Sequence, residues 1–325
     1  MRIVLASIAI MLACVLAGLA YGDFALSVAD LLRALFRSPD APPQALMIVW
    51  SIRLPRVLLA VLVGMALAVA GAIAQAVLRN PLADPGIIGI NSGAALAAMV
   101  VLVGLDDVSP AILPVAGFAG ASAMVAAIFL LSWKNGTSSL RLLLIGIGLG
   151  ALASAATTFL TAVGDIGDVQ RAMVWMAGSL FDSNWTKVAV LAAWSVPVMV
   201  AAWLVSHHLD ATLLGDGIAA NLGQRVQLTR TLLILGCTLL SGAAVAAAGL
   251  VSFVGLLAPH IARRLVGPLH RALLPVAALT GGTLVVIADV ASRMVIAPAQ
   301  LPVGLTIALV GAPFFGWLMW NRRNA

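Results

Sequence analysis

Residues 231–259 read TLLILGCTLLSGAAVAAAGLVSFVGLLAP, a run of 29 positions without a charged side chain. Arg225 and Arg230 stand before it, and Arg263, Arg264 and Arg271 follow. Lys and Arg collect at the cytoplasmic ends of membrane helices, so both flanks belong on the inner side. A chain that leaves and returns crosses an even number of times, yet two full spans of about 20 residues each do not fit into this length. One full span over 231–250 and a short buried helix over 252–261 resolve the conflict, with Gly249, Gly255 and Pro259 as candidate break points. The run therefore predicts an all-α polytopic membrane protein.

Composition agrees. Of 325 residues, 62% are hydrophobic and 9% charged, against about 25% charged in an ordinary soluble domain. A soluble globule is excluded. Working outward from 231–261, further spans fall at 3–19, 56–78, 92–105, 111–133, 142–163, 188–206, 272–290 and 303–320, which gives ten in one membrane domain over 1–325. The first run follows Arg2 and reads as a span with the chain start inside, not as a cleaved signal, because no small-residue cleavage site precedes a soluble region. Residues 23–52 form an outer polar connection in which 30–36 suits a short interfacial helix. Residues 165–185, with Trp175 and Trp185, suit an outer interfacial helix anchored by its aromatics. In this topology eleven Lys and Arg fall inside and seven outside, the expected bias, and both termini are cytoplasmic. The net charge of +6 orients the chain; too little surface remains for a nucleic acid.

The span interiors hold no Asp, Glu, Lys or Arg; Asp289 comes nearest, at the outer end of the ninth. Proton relays need such groups within the membrane, which disfavours one here, while sodium coupling through carbonyls stays open. The two lysines, Lys134 and Lys187, are not preceded by glycine, so there is no P-loop and any ATP is hydrolysed by another chain. The four histidines sit at cytoplasmic boundaries without clustered acids, and Cys14 and Cys237 lie in apolar runs, so neither a metal site nor a disulfide is indicated.

Several local patterns stand out. Residues 209–228 are too polar to cross and read as two short helices joined at glycine. Asn80-Pro81 and Asp84-Pro85 mark a tight cytoplasmic turn over 80–89. Gly146 and Gly150 form a small-residue pair that suits helix packing, a dimer face or a pore-lining helix. Arg53 and Arg56 at the outer end of the second span and Arg293 at that of the ninth form an outer basic set; long basic side chains there snorkel to the interface or pair with carboxylates.

Arg53-Leu54-Pro55-Arg56, Gly71-Ala72-Ile73-Ala74-Gln75 and Asn80-Pro81-Leu82-Ala83-Asp84-Pro85-Gly86 occur in order. Phe253-Val254-Gly255-Leu256-Leu257-Ala258-Pro259-His260, Ala288-Asp289-Val290-Ala291-Ser292-Arg293 and Gly311-Ala312-Pro313 follow. Together they cover nearly the whole chain, and it resembles the permease subunits of ABC importers for ferric siderophores, haem and cobalamin. The resemblance implies a non-enzymatic permease in the bacterial inner membrane, working by alternating access. It implies a cytoplasmic ATPase dimer that uses ATP and Mg, a periplasmic substrate-binding protein and a second permease copy; no cofactor is bound by this chain. Arg53, Arg56 and Arg293 would dock the binding protein. The loop at 209–228 would couple to the ATPase through Leu214, Gly215, Asp216, Ala219, Ala220 and Gly223, where the family often has Glu at the position of Asp216. Ser138 and Ser139 would lie near an inner gate. The competing expectation is a secondary transporter or channel that needs no ATPase.

Overall fold

The computed structural model describes residues 2–22, 24–105, 109, 111–134, 136–296 and 299–322; Arg323, counted above with the inner basic residues, lies outside them. Fifteen α-helices are present and no strand occurs among the described residues. In order they are α1 (Arg2–Ala20), α2 (Val28–Leu35), α3 (Pro43–Met47), α4 (Leu54–Leu78), α5 (Ile90–Gly104), α6 (Ile112–Ser132), α7 (Ser139–Val163) and α8 (Ile166–Met176). They continue with α9 (Trp185–Leu204), α10 (Ser206–Leu213), α11 (Asp216–Asn221), α12 (Val226–Ala248), α13 (Val254–Val266), α14 (His270–Met294) and α15 (Val303–Arg322). Seven described helical stretches are long and apolar enough to cross a membrane, and α5, α13 and α15 complete the ten expected segments. Short helices also form in the stretches expected to be interfacial, as α2 and α8, and in the elbow, as α10 and α11.

Helix α4 is the hub, buried along almost its whole length against α12, α13 and α14. Water does not drive helices together inside a bilayer, so close backbone approach of small residues must hold them. A Cβ on Gly64 would stand 2.2 Å from the Gly281 carbonyl oxygen, and one on Gly71 only 1.9 Å from that of Gly255. By contrast α1, α6, α7 and α9 bury little of their surface. They turn Leu5, Leu130, Leu144, Phe159, Val190 and Leu204 outward, as a lipid-facing rim would.

Three boundaries differ from the sequence reading. Helix begins at Pro43, well before Arg56, and runs through a π-helical turn (Ile48–Arg53) into α4. Proline suits a helix start, and the π turn absorbs Pro55, which has no N–H for the Ser51 carbonyl; the Leu54 N–H reaches back to Val49. The break in 231–259 lies between Gly249 (φ 72°) and Phe253 (φ 67°), not at Gly255 or Pro259, which sit inside α13. Pro259 is tolerated there because the carbonyl it leaves without a helical partner, that of Gly255, accepts a hydrogen bond from Gln75 Nε2 at 3.3 Å. Pro275 of α14 is handled alike: the Arg271 carbonyl accepts from Trp203 Nε1 at 3.0 Å.

The third difference is the segment 80–89. Its Asx turns form as expected, with Leu82 N–H donating to Asn80 Oδ1 (3.0 Å) and Gly86 N–H to Asp84 Oδ1 (2.8 Å). The segment nevertheless folds back into the bundle: Pro85 and Ile88 are buried, and Asp84 and Pro85 abut Gly255. Gly146 faces the Ile87 carbonyl oxygen, 2.7 Å from where its Cβ would be, so this glycine serves packing within the chain.

Candidate functional site

At the end of the bundle where α4 finishes, α10 and α11 form an elbow at Gly215, whose φ of 99° only glycine adopts easily. Gln224 Nε2 donates to His208 O (3.2 Å) and Thr212 Oγ1 (3.3 Å), closing the elbow from below. Asp210 joins it to α14: its carboxylate accepts the His270 N–H at 2.9 Å and lies 2.7 Å from His270 Nδ1. On α10, burial and then the adjacent His207 push the His208 imidazole below the ordinary histidine pKa. Leu214, Ile218 and Leu222, four residues apart, are 56%, 53% and 66% exposed. Four-residue spacing puts Ile218 and Leu222 on one side of α11, with Leu214 just across the Gly215 break at the end of α10, and three exposed apolar side chains on so short an elbow suit an interaction surface.

Asp216 opens α11, where a negative charge suits the helix dipole. Its Oδ1 accepts from Arg79 Nη2 (3.0 Å) and Arg230 Nη2 (2.6 Å). Arg79 caps α4 in the left-handed region (φ 49°) and also reaches Ser139 Oγ at 3.3 Å. Ser139 Oγ donates to Val77 O at 2.6 Å. Arg230, 1% exposed, donates through Nη1 to Thr137 O, while the Thr137 N–H donates to Gln227 Oε1 at 2.9 Å. Ser138 caps α7, accepting from Arg141 N–H at 3.3 Å. Of the residues expected to couple, Leu214, Ala220 and Gly223 are exposed, Gly215 and Asp216 half-buried, and Ala219 turns inward at 1% exposure. Sequence reasoning missed Ile218 and Leu222, although their four-residue spacing after Gly215 was there to read. It also counted Arg79 and Arg230 only as inner charges.

At the opposite end of α4, Arg53, Arg56 and Arg293 are all buried, at 4%, 8% and 8% exposure. Arg56 Nε and Nη2 both lie 2.9 Å from Asp289 Oδ1, and Nη1 donates to Gln300 Oε1 at 2.8 Å. Arg293 Nη2 pairs with Asp289 Oδ2 at 3.1 Å, and Nη1 donates to Tyr21 O at 3.0 Å. Arg53 donates to Leu19 O (2.7 Å), Ala20 O (3.0 Å) and Phe24 O. The last carbonyls of a helix have no partners within it, and here guanidiniums supply them for α1. The set is thus a buried clamp joining α1, α4 and α14. A mainly apolar crevice of about 720 Å³ opens separately between α6, α9 and α12, lined by Phe118, Leu191, Trp194 and Ala247, with Lys187 and Asp182 also on its wall.

A bundle of apolar helices long enough to cross a bilayer, with a polar helical elbow at one end, defines a multi-pass membrane protein. The chain belongs to the FecCD transport family, whose sequence model matches residues 10–321. It is 44% identical over 285 residues to the probable siderophore transport system permease YfhA of Bacillus subtilis (strain 168), covering 86% of this chain and 83% of that protein. It is 42% identical to the achromobactin transport system permease CbrC of Dickeya dadantii (strain 3937), covering 97% and 90%. It is 43% identical to the hemin transport system permease HmuU of Yersinia pestis, covering 85% and 84%. Among solved structures, a metal-chelate type ABC transporter in an inward-facing conformation matches with a TM-score of 0.89 at 30% identity, covering 98% of this chain and 99% of that one. The protein is a permease subunit of an ABC importer and not itself an enzyme. Such a permease works with ATPase and substrate-binding partners.

Proposed function

We propose that this permease carries an iron complex, a ferric siderophore or haem, inward across the bacterial inner membrane by alternating access, with cobalamin the remaining cargo class. Two copies of the chain enclose the path, two cytoplasmic ATPases use ATP and Mg beneath it, and a periplasmic binding protein delivers the cargo. The chain binds no cofactor, and both termini are cytoplasmic. The observation that carries the reading is the exposure of Leu214 at the end of α10 and of Ile218 and Leu222 on α11, an elbow too polar to enter the membrane. Differential binding of the ATPase to two arrangements of the elbow would shift the permease between its states, and Ser138 and Ser139 belong to the inner gate. The relatives named for siderophores and hemin support the cargo class.

Replacing both Ile218 and Leu222 with Asp tests it. Loss of an interface hot spot costs about 2 kcal/mol or more, so ATPase binding should weaken by at least about 30-fold while helical content stays unchanged. Binding and ATP-driven uptake at parental levels would contradict the coupling role.

Docking by Arg53, Arg56 and Arg293 is also proposed, and the clamp geometry shapes its test. Glu at Arg56 or Arg293 would stand beside buried Asp289, so charge reversal confounds docking with unfolding. Arg53→Gln avoids this, since the hydrogen bonds of Arg53 to Leu19 O, Ala20 O and Phe24 O leave the Asp289 pair untouched. It should weaken binding-protein affinity, most at low ionic strength, with thermal unfolding as the check on stability; unchanged affinity in low salt would refute the docking role.

A further inference from the structure

Resting on the coupling role of the elbow, we propose that Asp216, Arg79 and Arg230 form the relay that carries movement of α11 to the turn between α6 and α7. One carboxylate oxygen at the start of α11 accepts from guanidiniums on two different membrane helices, at 3.0 and 2.6 Å. Each arginine makes another bond at the entry to α7, one to the turn and one to the first residue of the helix. Arg230 holds Thr137 O, and Arg79 holds Ser139 Oγ, which is itself tied to Val77 O on α4. The entry to α7 is therefore clasped from α12 on one side and α4 on the other, and Asp216 joins both clasps.

The elements on either side are built for movement in one place and stiffness in the other. Helix α11 lies between Gly215 (φ 99°) and Gly223 (φ 84°), two residues in conformations that bulkier side chains resist. Such points absorb backbone rotation and let a short helix rock as a unit. The receiving side does not yield: Arg230 is 1% exposed, and α4 is the most enclosed helix of the bundle. Bonds to a charged group are shorter and about twice as strong as neutral ones, so a shift of α11 pulls the turn before it breaks the link. The three residues touch neither nucleotide nor cargo; they are positioning residues.

The test uses the permease assembled with its own ATPase in nanodiscs, with Leu140→Cys as reporter in a Cys14→Ser background; Leu140 is exposed in the first turn of α7, and Cys237 is buried and stays. The probe is a water-soluble maleimide, and its labelling rate at position 140 is compared without nucleotide and after trapping with MgATP and vanadate. In the parent, trapping should change the rate by about tenfold, within the usual range of coupling between sites. Arg79→Gln should trap nucleotide normally yet lose most of that response, and Arg79→Lys should recover part of it. Asp216→Asn should also lose it. If Asp216→Asn fails to assemble, Arg79→Gln decides, because it leaves Asp216 as the partner of buried Arg230. No response in the parent would overturn the coupling role and the relay with it. A full response in Arg79→Gln would overturn the relay alone.

Discussion

Asp289→Ala is expected to destabilise the permease by about 3–5 kcal/mol, the cost of removing one partner from a buried ion pair. Asp289 is 1% exposed, and the two guanidiniums it neutralises are 8% exposed, so neither gains water when the carboxylate goes. The loss reaches further than the pair. Arg293 also holds Tyr21 O, so freeing its guanidinium loosens the outer end of α1 from α14. Thermal unfolding in nanodiscs reads the effect. Replacing Arg56, Asp289 and Arg293 together with apolar residues of similar size should recover much of the loss, because the desolvation cost disappears with the charges. A single-mutant loss below about 1 kcal/mol, the value of an exposed pair, would mean that the clamp is solvated in the membrane.

The second large effect is expected from Gly71→Leu. Its Cβ alone would meet the Gly255 carbonyl oxygen at 1.9 Å, and backbone cannot rotate aside as a side-chain tip can. Relief requires α13 to move off α4, which also breaks the Gln75–Gly255 hydrogen bond that serves the carbonyl opposite Pro259. Overpacking of a well-filled core costs about 1–3 kcal/mol and sometimes more, and this site belongs at the upper end. Gly148→Leu is the matched control, since a Cβ there meets nothing within 4 Å. The account predicts strongly lowered thermal stability for the first and nearly none lost in the second. Equal stability of the two would show that α4 and α13 are not in backbone contact.

How much of this was legible in the chain depended on whether the signal was local. Ten apolar segments, the interfacial helices and the elbow followed from runs of hydrophobicity and from basic flanks, which a single stretch carries. Gly249 and Gly255 look alike in sequence. One breaks the helix because its φ is positive beside the Trp175 carbonyl, and the other lies in α13 to admit Gly71, a distinction set by partners far along the chain. The helix start at Pro43 was hidden by prolines that read as loop. Asp216 was picked out, but its bonds reach Arg79, 137 positions away, and no spacing rule points there. Asp289 was noted for its depth, whereas its pairing with Arg56, 233 positions off, emerged only from the fold. The outer arginines were read as an exposed set, and the structure buries them.

The central claim is that the driving force comes from another chain. It is tested most directly by uptake of a radioactive ferric siderophore into proteoliposomes holding either the purified permease alone or the permease with its ATPase and binding protein. Accumulation should require all three proteins and ATP on the ATPase side, with no uphill movement by the permease alone under an imposed proton or sodium gradient. Accumulation by the permease alone on such a gradient would contradict it.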